Sequence, residues 1–305
     1  MFLIVAKQMI LMFLLIMVGF VIRRTKLADE AGNRVLSNVL LMVIVPFVVL
    51  NSLLTVDYNA QLLRGFFWSM LFAVLTHVLG IIAAHFLLTG KDKDTMIERY
   101  SAVYSNCGFM GIPLVQAILG AEGVFYITAY IIVFNLLTWT HGMLIISGDT
   151  SLHQLVKGLL SPTVFAIIIG FIGFFLRVKL PSPVEGAIGY MAGMNTPMGM
   201  IVAGVALAES HPLAALKRRR VYLVSALKLF VMPLLIMVIM LIFRPSEAVY
   251  YTTIAAAASP AGTTATMLAL RYDSDYRYAS ELYVITTLLS MITIPVVIAA
   301  AELFF

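Results

Sequence analysis

The sequence predicts an all-α integral membrane protein of ten transmembrane helices, arranged as two inverted five-helix repeats with crossed, broken helices 4 and 9. Three observations carry that expectation. The first is composition: mean hydropathy is +1.01, and 62% of the 305 residues are hydrophobic while 11% are charged, against about 25% charged in soluble domains. The second is length, since a helix crossing the roughly 30 Å hydrocarbon layer needs about 20 apolar residues. Around ten spans then fill the chain and leave no separate soluble domain. The third is a set of prolines that recurs half a chain apart.

Apolar runs of helical length, ended by charge or by Gly and Pro, place the spans in order. Spans 1 to 5 cover 2–22, 35–55, 66–88, 97–119 and 123–146. Spans 6 to 10 cover 161–177, 184–208, 219–243, 247–270 and 278–303. Barrel strands would be about ten residues long and alternate polar with apolar. In span 1 the charges follow the apolar run and no small-residue cleavage site appears, so it reads as a retained span and not a cleaved signal peptide. Cys107 is the one cysteine, which excludes a disulfide framework and leaves no Cys cluster for a structural metal.

Short loops rich in Lys and Arg stay on the cytoplasmic side. Loops after odd-numbered spans hold fourteen basic residues, among them Arg23, Arg34, Lys91, Arg99, Lys217 to Arg220, Arg271 and Arg277; the other side holds Arg64, Arg177, Lys179 and Arg244. Both termini should therefore face outward, in a multi-pass protein of the plasma (inner) membrane. The net charge of +5 belongs to these loops, so no nucleic-acid partner is expected; the bilayer is.

Pro46 and Pro197, in spans 2 and 7, lie 151 residues apart, and Pro113 and Pro260, in spans 4 and 9, lie 147 apart. Residues 1–146 and 161–305 thus form two repeats. Five is odd, so the second repeat enters the membrane from the opposite side. Inverted repeats that each carry one interrupted helix are the signature of secondary transporters, with the substrate site at the breaks. Unwound backbone is tolerated there because it lines a cavity, and half-helix N-termini offer N–H groups to an anion.

Two clusters interrupt the pattern. Ser105 to Pro113 packs Asn106, Gly108, Gly111 and Pro113 into nine residues, and in a helix interior Gly costs about 1 kcal/mol and Pro about 3. Ser259, Pro260, Gly262, Thr263 and Thr264 follow the run Ala255 to Ala258; close helix packing alone is the alternative there, but matched breaks in both halves favour a second interrupted helix. Pro46 and Pro197 are expected to kink their helices. Lys228 lies eight residues past Arg220, about 12 Å into the membrane at 1.5 Å per residue, where a charge is costly and usually functional; snorkelling to the interface is the alternative. Lys7 is expected to snorkel. No Asp or Glu occupies the middle of a span, which disfavours a cation carrier, and His77 and His85 form no metal-ligand pattern. An interior with amides, hydroxyls and one lysine favours an anion. No nucleophile motif or paired carboxylates suggest an enzyme, and no cofactor is expected.

The segment Asn106-Cys107-Gly108-Phe109-Met110-Gly111-Ile112-Pro113-Leu114 resembles the first crossover of the auxin efflux carrier family, the bacterial branch of the PIN-like transporters. Ser259-Pro260-Ala261-Gly262-Thr263 resembles the second crossover. Further similarity lies in Phe134-Asn135-Leu136-Leu137-Thr138-Trp139-Thr140, Ser161-Pro162-Thr163, Asn195-Thr196-Pro197 and Lys228-Leu229 ahead of Pro233. The resemblance implies a fold related to bile-acid symporters and sodium–proton antiporters. It also implies a scaffold of helices 1, 2, 6 and 7, a transport domain of helices 3–5 and 8–10 moving as an elevator, and a homodimer. Substrates implied are organic anions such as malonate, malate or an auxin-like acid, with Asn106 on the carboxylate. The long central loop of plant carriers is absent, with about 14 residues between spans 5 and 6.

The expected site is therefore Asn106, Cys107, Gly108, Gly111 and Pro113 from the first crossover, Ser259, Pro260, Gly262 and Thr263 from the second, with Lys228 and Asn135. Potential-driven transport, sodium or proton coupling, and a membrane-embedded sensor or enzyme remain distinct alternatives at this point.

Overall fold

A computed structural model describes residues 1–56, 59–148, 161–210 and 216–305. Their regular structure is helical, apart from one isolated bridge between Ser105 and Ala261. Eleven helices follow in order: α1 Phe2–Arg24, α2 Glu30–Leu54, α3 Ala60–Leu87, α4 Lys93–Val103, α5 Cys107–Ser147, α6 Pro162–Phe175, α7 Ser182–Glu209, α8 Arg219–Phe243, α9 Glu247–Ala258, α10 Thr264–Arg271 and α11 Tyr276–Phe304. Seven of these (α1, α2, α3, α5, α7, α8 and α11) are long and apolar enough to cross a membrane, and α6 is a shorter apolar helix. Large apolar side chains stand exposed along α1, α6, α8 and α11, such as Leu14, Ile169, Ile242 and Ile292. Apolar exposure on this scale fits contact with lipid.

Within the run Cys107–Ser147, Gly120 is non-helical at φ 64° and ψ −146°, so two helical segments meet there at a kink, where the sequence puts the junction of spans 4 and 5; that φ is open to glycine without steric penalty. One expectation about span 4 is corrected. The interruption of span 4 falls at Tyr104 to Asn106, ahead of Pro113, and helix continues through that proline.

The prolines explain a further regularity. Pro46, Pro113 and Pro233 each follow a π-helical turn, at Leu40–Ile44, Cys107–Gly111 and Leu227–Val231. A proline ring clashes with the carbonyl four residues back and lacks an N–H; widening the turn by one residue moves that carbonyl away. These helices therefore run on past their prolines. Pro197 instead follows a discontinuity at Met194, between helical segments Ser182–Gly193 and Asn195–Glu209.

Glycines set the closest helix pairs. A Cβ on Gly19 would strike the backbone of Ile201, and one on Gly204 the backbone of Ile16 and Phe20, so α1 and α7 are in backbone contact. Gly170 and Gly173 of α6 instead receive the side chains of Leu53 and Leu54 of α2. Small residues serve helix packing in lipid because apolar burial supplies no drive there.

Candidate functional site

The site is built where α4 and α9 stop. Ser259 precedes Pro260, and a residue before proline is pushed out of the α region; its ψ is 144°. Asn106, at φ −78° and ψ 47°, breaks the other helix. The two strips of freed backbone satisfy each other: Asn106 N–H donates to the Pro260 carbonyl at 2.7 Å and Gly262 N–H to the Tyr104 carbonyl at 3.0 Å. Ala261 N–H donates to the Thr286 hydroxyl of α11 at 3.1 Å. Buried backbone groups must be paired in this way, so each break supplies the partners of the other. The fully buried run Ala255 to Ala258 brings α9 close enough for the pairing.

Lys228 lies at the junction and does not snorkel. It is 1% exposed, and its Nζ donates to Ser105 Oγ at 2.7 Å and to the Ala257 carbonyl at 3.1 Å. Ala257 sits in the last turn of α9, where unpaired carbonyls carry partial negative charge. The ammonium thus holds the end of one half-helix to the break that follows the other.

A cavity of about 170 Å³ opens beside the breaks. It is lined by Ser105, Asn106, Gly108 and Phe109 at the first break, by Gly262, Thr263 and Thr264 at the second, by Asn135, Thr138 and Trp139 of α5, and by Arg271. Asn106 is 5% exposed and its Nδ2 finds no partner among the described residues; the hydroxyl of Ser161, also on the lining, is likewise unpartnered. Asn135 is turned partly inward on itself, its Nδ2 donating to the Ile131 carbonyl at 2.9 Å. No carboxylate belongs to the described lining, and Arg271 is its one charged member.

Of the residues singled out from sequence, Asn106, Gly108, Gly262, Thr263 and Asn135 meet on this cavity. Cys107, Gly111, Pro113, Ser259, Pro260 and Lys228 form the packing behind it. The Cys107 thiol is buried, a Cβ on Gly111 would come within 2.8 Å of Ile127 Cδ1, and Ser259 Oγ donates to the Ala255 carbonyl at 2.9 Å. Pro46 and Pro197 lie away from it, though Asn195, two residues before Pro197, donates to the Gly108 carbonyl at 2.9 Å and ties α7 to the first break. Arg271 was placed in a loop by its charge alone. The signal that recovers it is helical spacing: Thr264, Met267, Leu268 and Arg271 follow the i, i+3, i+4, i+7 pattern of one helix face, and all four line the cavity.

A second cavity of about 490 Å³ lies between α1, α2 and α7 on one side and α10 and α11 on the other. Its lining includes Arg23, Arg34, Arg277, Asn33 and Thr266, and it shares Thr263 and Met267 with the first cavity. Arg23 pairs with Glu209 at 2.7 Å across α1 and α7. Elsewhere Glu98 of α4, 1% exposed, accepts from Arg220 at 2.7 Å and from the Tyr278 hydroxyl at 2.8 Å. That clamp joins α4, α8 and α11. Among the described residues no group of three His, Cys, Asp or Glu is placed to hold a metal ion.

Several long apolar helices and no regular structure other than helix among the described residues, apart from one isolated bridge, define an all-helical, multi-pass membrane protein. The family described as Membrane transport protein matches residues 4–298, so the chain belongs to it; this is the auxin efflux carrier family that the crossover motifs resemble. The protein is a membrane transporter and not an enzyme. It is 26% identical over 297 residues to an "Uncharacterized transporter" of Methanothermobacter thermautotrophicus, covering 92% of this chain and 93% of that one. A "Putative malonate transporter" of Rhizobium meliloti is 25% identical over 219 residues, 68% of each chain.

Proposed function

We propose that this transporter carries a small organic anion, a carboxylate of the malonate, malate or auxin-like kind, by alternating access at the paired breaks. The observation that carries this reading is the free Asn106 amide, a donor group, in a cavity whose described lining holds no carboxylate and one arginine. The N-terminal turns of α5 and α10 add partial positive charge at Gly108 and Thr264. At about 170 Å³ the space falls below the roughly 300–1,000 Å³ of drug-sized pockets, and so suits a small acid. The name of the Rhizobium relative points the same way.

The architecture we infer is ten spans in two inverted repeats, with α4 and the start of α5 as one span and α9 with α10 as another. Its support is the packing: exchanging the repeats turns the glycine-mediated α1–α7 pair into the α6–α2 pair. In this arrangement α1, α2, α6 and α7 are the scaffold and, by family resemblance, the homodimer contact. The remaining helices move against them. Arginine-rich loops around the second cavity support a cytoplasmic position for it, as the inner vestibule of this arrangement, which shares Thr263 and Met267 with the site.

Counterflow in proteoliposomes tests the reading. Vesicles preloaded with unlabelled malonate, malate or indole acetate should accumulate the labelled acid with wild type and fail to do so with Asn106→Ala. Equal counterflow by both proteins would remove Asn106 from the site, and none from wild type with any anion would remove the substrate class.

A further inference from the structure

Among the polar groups of the lining, which also include Asn135, Thr138, Ser161 and Thr163, two features are suited to meet a carboxylate. One is the crossover, with the Asn106 amide, Gly262 and Thr263. The other is Arg271, the last residue of α10, seven residues after Thr264 and so about two helical turns away. Met267, Leu268, Phe109, Ile131 and Phe134 are among the apolar residues of the same lining.

Arg271 belongs to the cavity by helix geometry. It stands on the α10 face that carries Thr264, Met267 and Leu268, all lining residues. Helical side chains lean toward the N-terminus of their helix, and Arg271, exposed at the end of α10, lines the same cavity as the crossover. The ring of Tyr272 lies 5.5 Å from its Cζ, and no acidic residue of the described lining stands opposite it. A guanidinium offers a fork of donors matched to a carboxylate. A small, largely apolar cavity that carries both an amide and a guanidinium suits a short apolar chain with an acid at each end.

We propose that Arg271 is the second anion contact of this site and makes it selective for small dicarboxylates over monocarboxylates of equal carbon number. The proposal rests on the carrier reading above and adds to it a residue and a substrate class. One carboxylate sits at Asn106 and the crossover N–H groups. The other meets Arg271 at the end of α10, so the ligand spans both ends of the half-helix and its charge compensates the arginine.

Binding to the purified full chain in detergent, followed by isothermal titration calorimetry at neutral pH, tests this; both carboxyls are ionised there because carboxyl groups titrate near pH 4. Malonate is compared with propionate and succinate with butyrate, for wild type, Arg271→Gln, Arg271→Lys and Asn106→Ala. Wild type should prefer the diacid of each pair. A lost charge-assisted contact changes affinity by about tenfold to a hundredfold, and Arg271→Gln should reduce the preference by that factor, with part of it restored in Arg271→Lys. Asn106→Ala should weaken both members of a pair.

An Arg271→Gln protein whose preference equals that of wild type overturns the proposal, as does a wild type that binds monoacid and diacid alike. In both cases weakening by Asn106→Ala leaves the carrier reading standing. A wild type that binds none of the four acids overturns that reading and the proposal with it.

Discussion

Two residues with opposite roles meet at the crossover. Asn106 presents an unpartnered amide to the cavity, whereas the Lys228 ammonium is engaged by Ser105 and the end of α9. Lys228→Met removes the charge from the half-helix end and leaves a buried hydroxyl and carbonyl without their donor. Losing such a partner costs about 1–3 kcal/mol, so the variant should unfold at lower temperature in detergent, as measured by intrinsic fluorescence. An unchanged melting temperature would deny Lys228 its role in holding the breaks together. At this scale the sequence revealed which residue types break helices and which polar groups lie at depth. It did not reveal which of them face the cavity: Pro113 and Gly111 look as suited to a site as Gly108, and only the pairing of Asn106 with Pro260 and of Gly262 with Tyr104 settles the register. Arg271 was hidden for a different reason, because a charge near a predicted loop reads as solvated until the half-helix carrying it is seen to turn toward the breaks.

Among the helices, the distinction is between those that bend and those that stop. Gly120 bends α5 with φ of 64°, and although a Cβ there would meet open space, an L side chain resists that backbone. Gly120→Val should therefore lower the thermal stability by about 1–2 kcal/mol; an unaffected melting transition would mean that the bend relaxes without penalty. Glu98 makes a second test. With Arg220 and Tyr278 it ties α4 to α8 and α11, and Arg220 is 45% exposed, so solvent weakens the ion pair. Glu98→Ala should still cost about 1–3 kcal/mol through the buried hydrogen bonds, read in the same thermal assay, and no loss would show that the clamp is dispensable. The seven long apolar helices were legible from apolar length, with ends up to about six residues from those observed, the break in span 4 aside. The junction of spans 4 and 5 was legible too, since a glycine followed by Ala121 and Glu122 reads as a turn and Gly120 is where the helix is interrupted. The π-turns ahead of Pro46, Pro113 and Pro233 were not, because hydropathy carries no record of how a helix accommodates a proline.

Across the whole molecule, the two cavities meet at Thr263 and Met267, along the seam between α1, α2, α6 and α7 and the other helices. Contacts that cross this seam must exchange if one body moves against the other. Ser52 of α2 and Thr128 of α5 make such a contact, their hydroxyl oxygens 2.8 Å apart. In a Cys107→Ala background, a disulfide between cysteines introduced by Ser52→Cys and Thr128→Cys should stop transport, and reductant should restore it. Full transport by the oxidised, crosslinked protein would contradict an elevator motion along this seam. The proline spacing that suggests inverted repeats is legible because helix breaks need recognisable residues; the proposed division into moving bodies leaves no such mark and rests on family resemblance.

The most direct test of the central account is electrical. Proteoliposomes on a solid-supported membrane, challenged with a panel of carboxylates in the presence and absence of sodium, report net charge carried by the protein as a transient current. An anion carrier that uses the crossover site predicts a sodium-independent current for at least one small carboxylate, absent in Asn106→Ala. A current of equal size in wild type and Asn106→Ala would contradict the site, and a current strictly dependent on sodium would replace potential-driven anion movement with symport.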